Sequence, residues 1–173
     1  MLRSRRFIFG FSLVEMMIVF IISSILSMLA APQLSYWVDS ARAKSVRMNL
    51  RSFLVEARSI ALTQSDTITV CQLQGDHCKS EFGFPLSMYV DNNRNAVLDS
   101  DEYIVRVLDM DLTNNISIKW NRHKYLRFWP SGGTGALTGS LSYCNQLFPD
   151  FDFRLVIART GRVRVDENAS RCD

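Results

Sequence analysis

The sequence predicts an α+β protein, one long N-terminal helix packed on a mostly antiparallel β-sheet. Three observations predict it. Residues 11–31 form an apolar run that is almost free of charge. Residues 33–63 continue with apolar side chains three and four apart, the period of one helix face. From residue 64 onward the texture changes to short alternating pieces broken by Gly, Pro, Asn and Asp. The expected organisation is a leader over 1–10, a hydrophobic helix over 11–32, an amphipathic helix over 33–63 and a β-rich globular region over 64–173.

The leader is short and basic, with Arg3, Arg5 and Arg6 before Gly10. The apolar run of about 21 residues rises roughly 31 Å as a helix, enough to cross a bilayer core. The arginines on its N-terminal side place that end in the cytoplasm. Glu15 is the one ionisable side chain in the run. A carboxylate inside a membrane helix costs about 2.5–3.5 kcal/mol, so Glu15 needs a partner or a function. An ordinary secretory signal peptide is the competing reading. It fits poorly: the run is too long, it contains Glu15, and Leu29-Ala30-Ala31 is a weak cleavage site.

Beyond Pro32, the residues Val46, Leu50, Phe53, Leu54, Ala57, Ile60 and Ala61 make one apolar stripe. Lys44, Arg47, Arg51 and Arg58 lie mostly off it, as a solvated face does by default; contact with acidic groups on neighbouring subunits is the alternative. Strands are expected over 67–72, 86–90, 103–108, 116–120 and 125–129, the last two joined as a hairpin through 121–124. Pro130-Ser131-Gly132-Gly133 and Thr134-Gly135 interrupt regular structure. A strand resumes over 141–144, and 154–158 with 162–165 form a terminal hairpin around Thr160-Gly161.

The full chain carries 20 Lys+Arg against 17 Asp+Glu. Loss of the leader would remove three arginines and no acid, leaving 17 against 17. A basic character therefore has to come from local clustering. Four cysteines without a CxxC, and two histidines (His77 and His123) without metal-type spacing, argue against zinc. The cysteines allow three pairings. Cys71–Cys78, closing a small loop around Gly75, and Cys144–Cys172, tying the C-terminal end to the sheet, are favoured. Disulfides follow from the oxidising compartment that export implies, with free buried thiols as the alternative. No nucleophile or acid–base constellation is visible, and Gly132-Gly133-Thr134-Gly135 lacks the Lys-Ser/Thr of a phosphate loop. A non-enzymatic protein without a cofactor is expected.

Two stretches carry candidate binding residues. Within 91–102, Asp91, Asn93, Asn95, Asp99 and Glu102 fall at the oxygen-ligand positions of an EF-hand loop. Position six is Ala96 where such loops need Gly, and the flanks read as strands. A polar connection between strands is therefore favoured, with calcium as the alternative. The second stretch is Thr160-Gly161-Arg162-Val163-Arg164-Val165. Strand alternation puts Val163 and Val165 on one face and Arg162 and Arg164 together on the other, about 6.5–7 Å apart. Guanidinium groups suit phosphate. Arg159, Arg154 and Arg171 would enlarge the patch, while Asp166, Glu167 and Asp173 would oppose it.

Gly10-Phe11-Ser12-Leu13-Val14-Glu15 with its apolar run resembles the leader and N-terminal helix of type IV pilins and pseudopilins. The resemblance implies cleavage by a prepilin peptidase between Gly10 and Phe11 and N-methylation of Phe11. It also implies an assembly role for Glu15, which would meet the N-terminal amine of a neighbouring subunit. A buried carboxylate is tolerable when so paired. Pro32 matches a helix-kinking proline of the family. Gly161-Arg162-Val163-Arg164, Phe128-Trp129-Pro130-Ser131-Gly132 and the following Cys144 resemble the GspH/FimT/FimU branch. That branch implies a minor pilin working in pilus assembly or priming near the filament tip. The alternatives are DNA uptake through Arg162, Arg164 and Arg159, and a GspH-like pseudopilin of type II secretion. The implied partners are other minor and major pilins, the prepilin peptidase and the inner-membrane assembly machinery, with DNA as a further candidate. The implied location is the bacterial inner membrane, globular region in the periplasm, and then the pilus or pseudopilus.

Overall fold

A computed structural model describes residues 12–121, 124–166 and 172, without the side chains of residues 29–32. The chain divides into two units, one ending at Asp39 and one running from Ser40. The helix α1 (Leu13–Gln64) begins in the first. Ser12 precedes it and its Oγ accepts the Glu15 N–H at 3.3 Å. Ser-x-x-Glu is the spacing of a helix-starting capping box. Ser24 and Ser27 return their hydroxyls to the carbonyls of Ile21 and Ser23, both at 2.8 Å, so these polar groups are satisfied inside the helix. Large apolar side chains point outward all along the segment, among them Phe20 at 73% and Met28 at 81% exposure. No single helix among the described residues is long and apolar enough to cross a membrane. Leu13–Met28 and Gln33–Gln64 meet that test only as a bent pair, by length and composition. The side chain of Pro32 lies outside the described set.

In the second unit, α1 buries Ala43, Val46, Leu50, Phe53, Leu54, Ala57 and Ala61. Their spacing of three and four residues puts them on one face. Lys44 and Arg51 are exposed; Arg47 and Arg58 are half-buried. The helix gives way at Ser65, whose φ of 60° is left-handed, and β1 (Ile68–Cys71) follows.

The strands do not form one sheet. β4 (Leu86–Val90), β5 (Ile104–Leu108) and β7 (Leu126–Phe128) join β1 in the order β5-β4-β1-β7. β6 (Ile116–Trp120), β8 (Gly139–Asn145), β9 (Phe153–Ile157) and β10 (Val163–Asp166) form a second sheet, β10-β9-β8-β6. The ladders are antiparallel. A two-residue ribbon of β2 (Leu73–Gln74) and β3 (His77–Cys78) stands apart, and a 3₁₀ turn, Pro149–Phe151, precedes β9. β1 and β4 are buried along their whole length, and Leu126, Phe128, Leu141, Tyr143 and Leu155 complete the core with the helix stripe.

The expected hairpin between 116–120 and 125–129 is not formed. β6 pairs with β8, and β7 pairs with β1 in the other sheet. Asn121 explains part of the separation. Its side-chain oxygen accepts the Ser140 N–H at 2.9 Å and its N–H donates to the Ser140 carbonyl at 3.2 Å, which commits the end of β6 to β8. Leu126 and Phe128, fully buried, are drawn to β1. The terminal hairpin forms in the register Val163↔Ile157 to Asp166↔Arg154. Cys71 is bonded to Cys78 and Cys144 to Cys172, with Cα atoms 5.7 Å apart in each pair.

Candidate functional site

Three places hold the residues singled out by sequence. The first is the start of α1. Gly10 and Phe11 lie outside the described residues. Glu15 is exposed in the first helical turn. Its backbone N–H is held by Ser12, which the Ser-x-x-Glu spacing marks as the start of the helix. A carboxylate there faces the positive end of the helix dipole.

The second place is the turn between β9 and β10. Gly161 N–H donates to the Ala158 carbonyl at 2.8 Å, and Ala158 N–H donates to the Arg162 carbonyl at 3.0 Å. Gly161 has φ +74°, and a Cβ on it would sit 1.9 Å from the Gly132 carbonyl oxygen. Arg58 Nε donates to that same oxygen at 3.0 Å, reaching it from the helix. Thr134 adds two bonds, its N–H to the Arg159 carbonyl at 2.9 Å and its hydroxyl to the Ala158 carbonyl at 3.1 Å. The turn is thus clamped between the helix and the 130–135 segment.

On this clamped turn Arg159, Arg162 and Arg164 are exposed, and none of their side chains makes a hydrogen bond or ion pair among the described residues. Val163 is buried and Val165 half-buried, so strand alternation directs Arg164 outward. Asp166, expected to oppose Arg162 and Arg164, accepts from Arg154 Nη2 at 2.9 Å. Arg154 is therefore tied up in an ion pair with Asp166. Glu167, Arg171, Asp173 and His123 lie outside the described residues. Cys172 sits by β8, where its carbonyl accepts from Lys119 Nζ at 3.5 Å.

The third place is the loop 91–102, where the ligand-like residues turn elsewhere. Asp91 is buried, and its Oδ2 accepts Arg127 Nη2 and the Thr69 hydroxyl, both at 2.6 Å. Arg127 Nε also donates to Thr69 Oγ1 at 3.0 Å. Asn93 and Asn95 both donate their amides to Asp99 Oδ2, at 2.7 and 2.8 Å. Glu102 takes the N–H groups of Asn92 and Asp99. The polar side chains of the loop thus bond to one another and to its backbone. Among the described residues no three carboxylate, imidazole or thiol side chains converge as a metal site. Ala96 adopts the left-handed backbone (φ 61°) that the missing glycine would have supplied, and Arg94 does the same (φ 65°). Arg94 lies over the Trp129 ring at 4.7 Å, so the loop leans on the Trp-Pro-Ser-Gly segment. Burial, with the Asp91 charge as a second cause, pushes the Tyr89 hydroxyl well above its ordinary value.

The comparisons with known proteins follow this division of the chain. The family model for the prokaryotic N-terminal methylation motif matches residues 5–31, and the model described as type II transport protein GspH matches residues 47–165. No curated protein gives a significant match. Two crystal structures of the type IV minor pilin FimU of Pseudomonas aeruginosa PAO1, from different crystal forms, are similar to this chain. One is 21% identical with a TM-score of 0.55, covering 75% of this chain and 92% of that one. The other is 22% identical with a TM-score of 0.51, covering 71% and 91%. At that identity the likeness is one of fold, a type IV pilin fold. The match from the amphipathic helix to β10, behind a methylation motif, means that the chain belongs to the type II transport protein GspH family.

Proposed function

We propose that the chain is a minor type IV pilin, a subunit that assembles and does no chemistry. One observation carries this reading: a methylation motif over 5–31 leads through one helix into a unit of pilin fold. In this reading the leader is cut after Gly10, Phe11 is methylated, and the helix rests in the inner membrane with the globular unit in the periplasm. Glu15 then pairs with the N-terminal amine of a neighbouring subunit as the helix enters the filament, and the subunit helps to prime the pilus near its tip. Membrane residence supplies the energetic reason, since an unpaired carboxylate there costs about 2.5–3.5 kcal/mol and a cation relieves it. Glu15→Ala should leave the protein folded and in the membrane but absent from sheared filaments. Normal incorporation would contradict the pairing. A GspH-like place in type II secretion uses the same fold and motif, and is distinguished by which filament contains the protein.

A second reading is favoured by the arginine turn. Arg159, Arg162 and Arg164 are presented without partners among the described residues on a clamped turn, which suits sequence-independent contact with DNA phosphates. Binding of the full chain in detergent micelles should weaken with salt. Arg162→Gln with Arg164→Gln should lower the affinity and reduce the log–log salt slope by about 2. No binding by the parent at low salt would remove DNA from the function.

A further inference from the structure

The second sheet ends on β6, and no strand among the described residues pairs with its free side. The phase of the ladder is fixed by two bonds: Asn121 N–H to the Ser140 carbonyl (3.2 Å) and Gln146 N–H to the Asn115 carbonyl (2.9 Å). In an antiparallel ladder alternate residues bond to opposite sides. Ser117 and Lys119 therefore direct their backbone groups at β8, and Ile118 and Trp120 direct theirs away from it. A groove of about 850 Å³ lies along this edge, with Glu81 and Phe82 opposite the strand. A further groove of about 480 Å³ adjoins Ile118 and extends to Asp109 and Asp111. Phe82 and Trp120 have ring centres 5.8 Å apart and give an apolar lining. The charge is unequal along the length: Lys119 and Lys124 outnumber Glu81 in the larger groove, and Asp109 and Asp111 line the smaller.

We propose that this groove receives an extended segment of another pilin-type subunit, added to β6 as a further strand. The free N–H and C=O groups of Ile118 and Trp120 supply the main-chain bonds, and the apolar lining takes alternate side chains of the guest. The two lysines call for an acidic residue at one end of the guest and the two aspartates for a basic one at the other, which sets its direction. Lys119 in the middle of the edge discourages indiscriminate pairing, so a partner has to bring the opposite charge. A second copy of this chain offering β10, the other free edge of the same sheet, would set Arg162 and Arg164 against Lys119. The edge at β5 is less open to pairing, with a register shift at Met88/Tyr89 and Arg106 ion-paired to Glu56. The inference rests on the assembly reading only for the kind of partner.

The test uses the full chain in the cells that make it, with the photo-reactive amino acid p-benzoylphenylalanine at Lys119. A second version carries it at Val55, an exposed helix position that serves as the control for assembly contacts. The expected result is an adduct at position 119 with another subunit, mapping to an extended segment with an acidic residue beside the cross-link. Ile118→Pro removes an outward N–H, together with a side chain packed against the core, and should reduce the adduct at least tenfold. If Ile118→Pro does not fold, Lys124→Glu, at an exposed position, should give the same loss by charge reversal. An adduct at 55 but none at 119, an adduct to a second copy of this chain, or one that survives both substitutions overturns the groove and leaves the assembly reading standing. No adduct at either position in cells bearing filaments overturns both.

Discussion

Arg127 and Asp91 are oppositely charged, 2.6 Å apart, and 6% and 0% exposed. Removing one member of such a pair leaves a buried charge alone, which costs about 3–5 kcal/mol. Arg127→Met should therefore lower stability by about that much in a denaturant titration, while a loss under about 1 kcal/mol would show that the pair matters little. Asp152 allows a pH test. Burial raises its pKa, opposed by the bond its Oδ1 accepts from the Asn145 N–H. A carboxyl that holds its proton more tightly when folded gains stability as the pH falls and loses it as the pH rises through its folded pKa. Asp152→Asn keeps the acceptor, so it should melt higher than the parent at pH 7, with the gap closing at acidic pH. An equal gap at both would contradict the assignment. The pairing of Asp91 was hidden in the sequence: spacing set it at the head of a ligand-like loop, but Arg127 lies 36 residues away and arrives only through strand pairing. Ser12, by contrast, was legible in its Ser-x-x-Glu spacing.

The turn between β9 and β10 depends on Gly161. An alanine there meets a left-handed backbone, worth about 1–2 kcal/mol, and a Cβ 1.9 Å from the Gly132 carbonyl oxygen. Gly161→Ala should destabilise by more than the backbone cost alone and loosen the arginines; an unchanged melting temperature would show that the clamp is dispensable. The disulfides differ in the loops they close, with separations of 7 and 28 residues. Chain entropy makes the longer closure the more stabilising, so Cys144→Ser/Cys172→Ser should cost more than Cys71→Ser/Cys78→Ser. The reverse order would point to local packing around Cys71. Strand positions were legible because alternation is local: 86–90 and 116–120 match β4 and β6. Pairing was not. A hairpin between neighbours was the local expectation, whereas Ile68 meets Phe128 and Ile116 meets Asn145 across long stretches of chain.

The whole chain pairs a helix whose N-terminal half shows apolar side chains on every described face with a unit that has a complete core of its own. Helix and class were plain in the sequence, because a run of apolar residues followed by a three-and-four stripe has few other solutions. The division of the strands into two sheets was not plain, since sheet membership depends on contacts that no local pattern records. The proposed pilin role rests on cleavage and methylation within the first fifteen residues, and the mass of the mature protein tests this most directly. Purified from cells that contain a prepilin peptidase, the protein should have the mass of a chain that begins at Phe11 and carries one added methyl group. A chain that still begins at Met1, or one cut after Ala31 as a signal peptide would be, would contradict it.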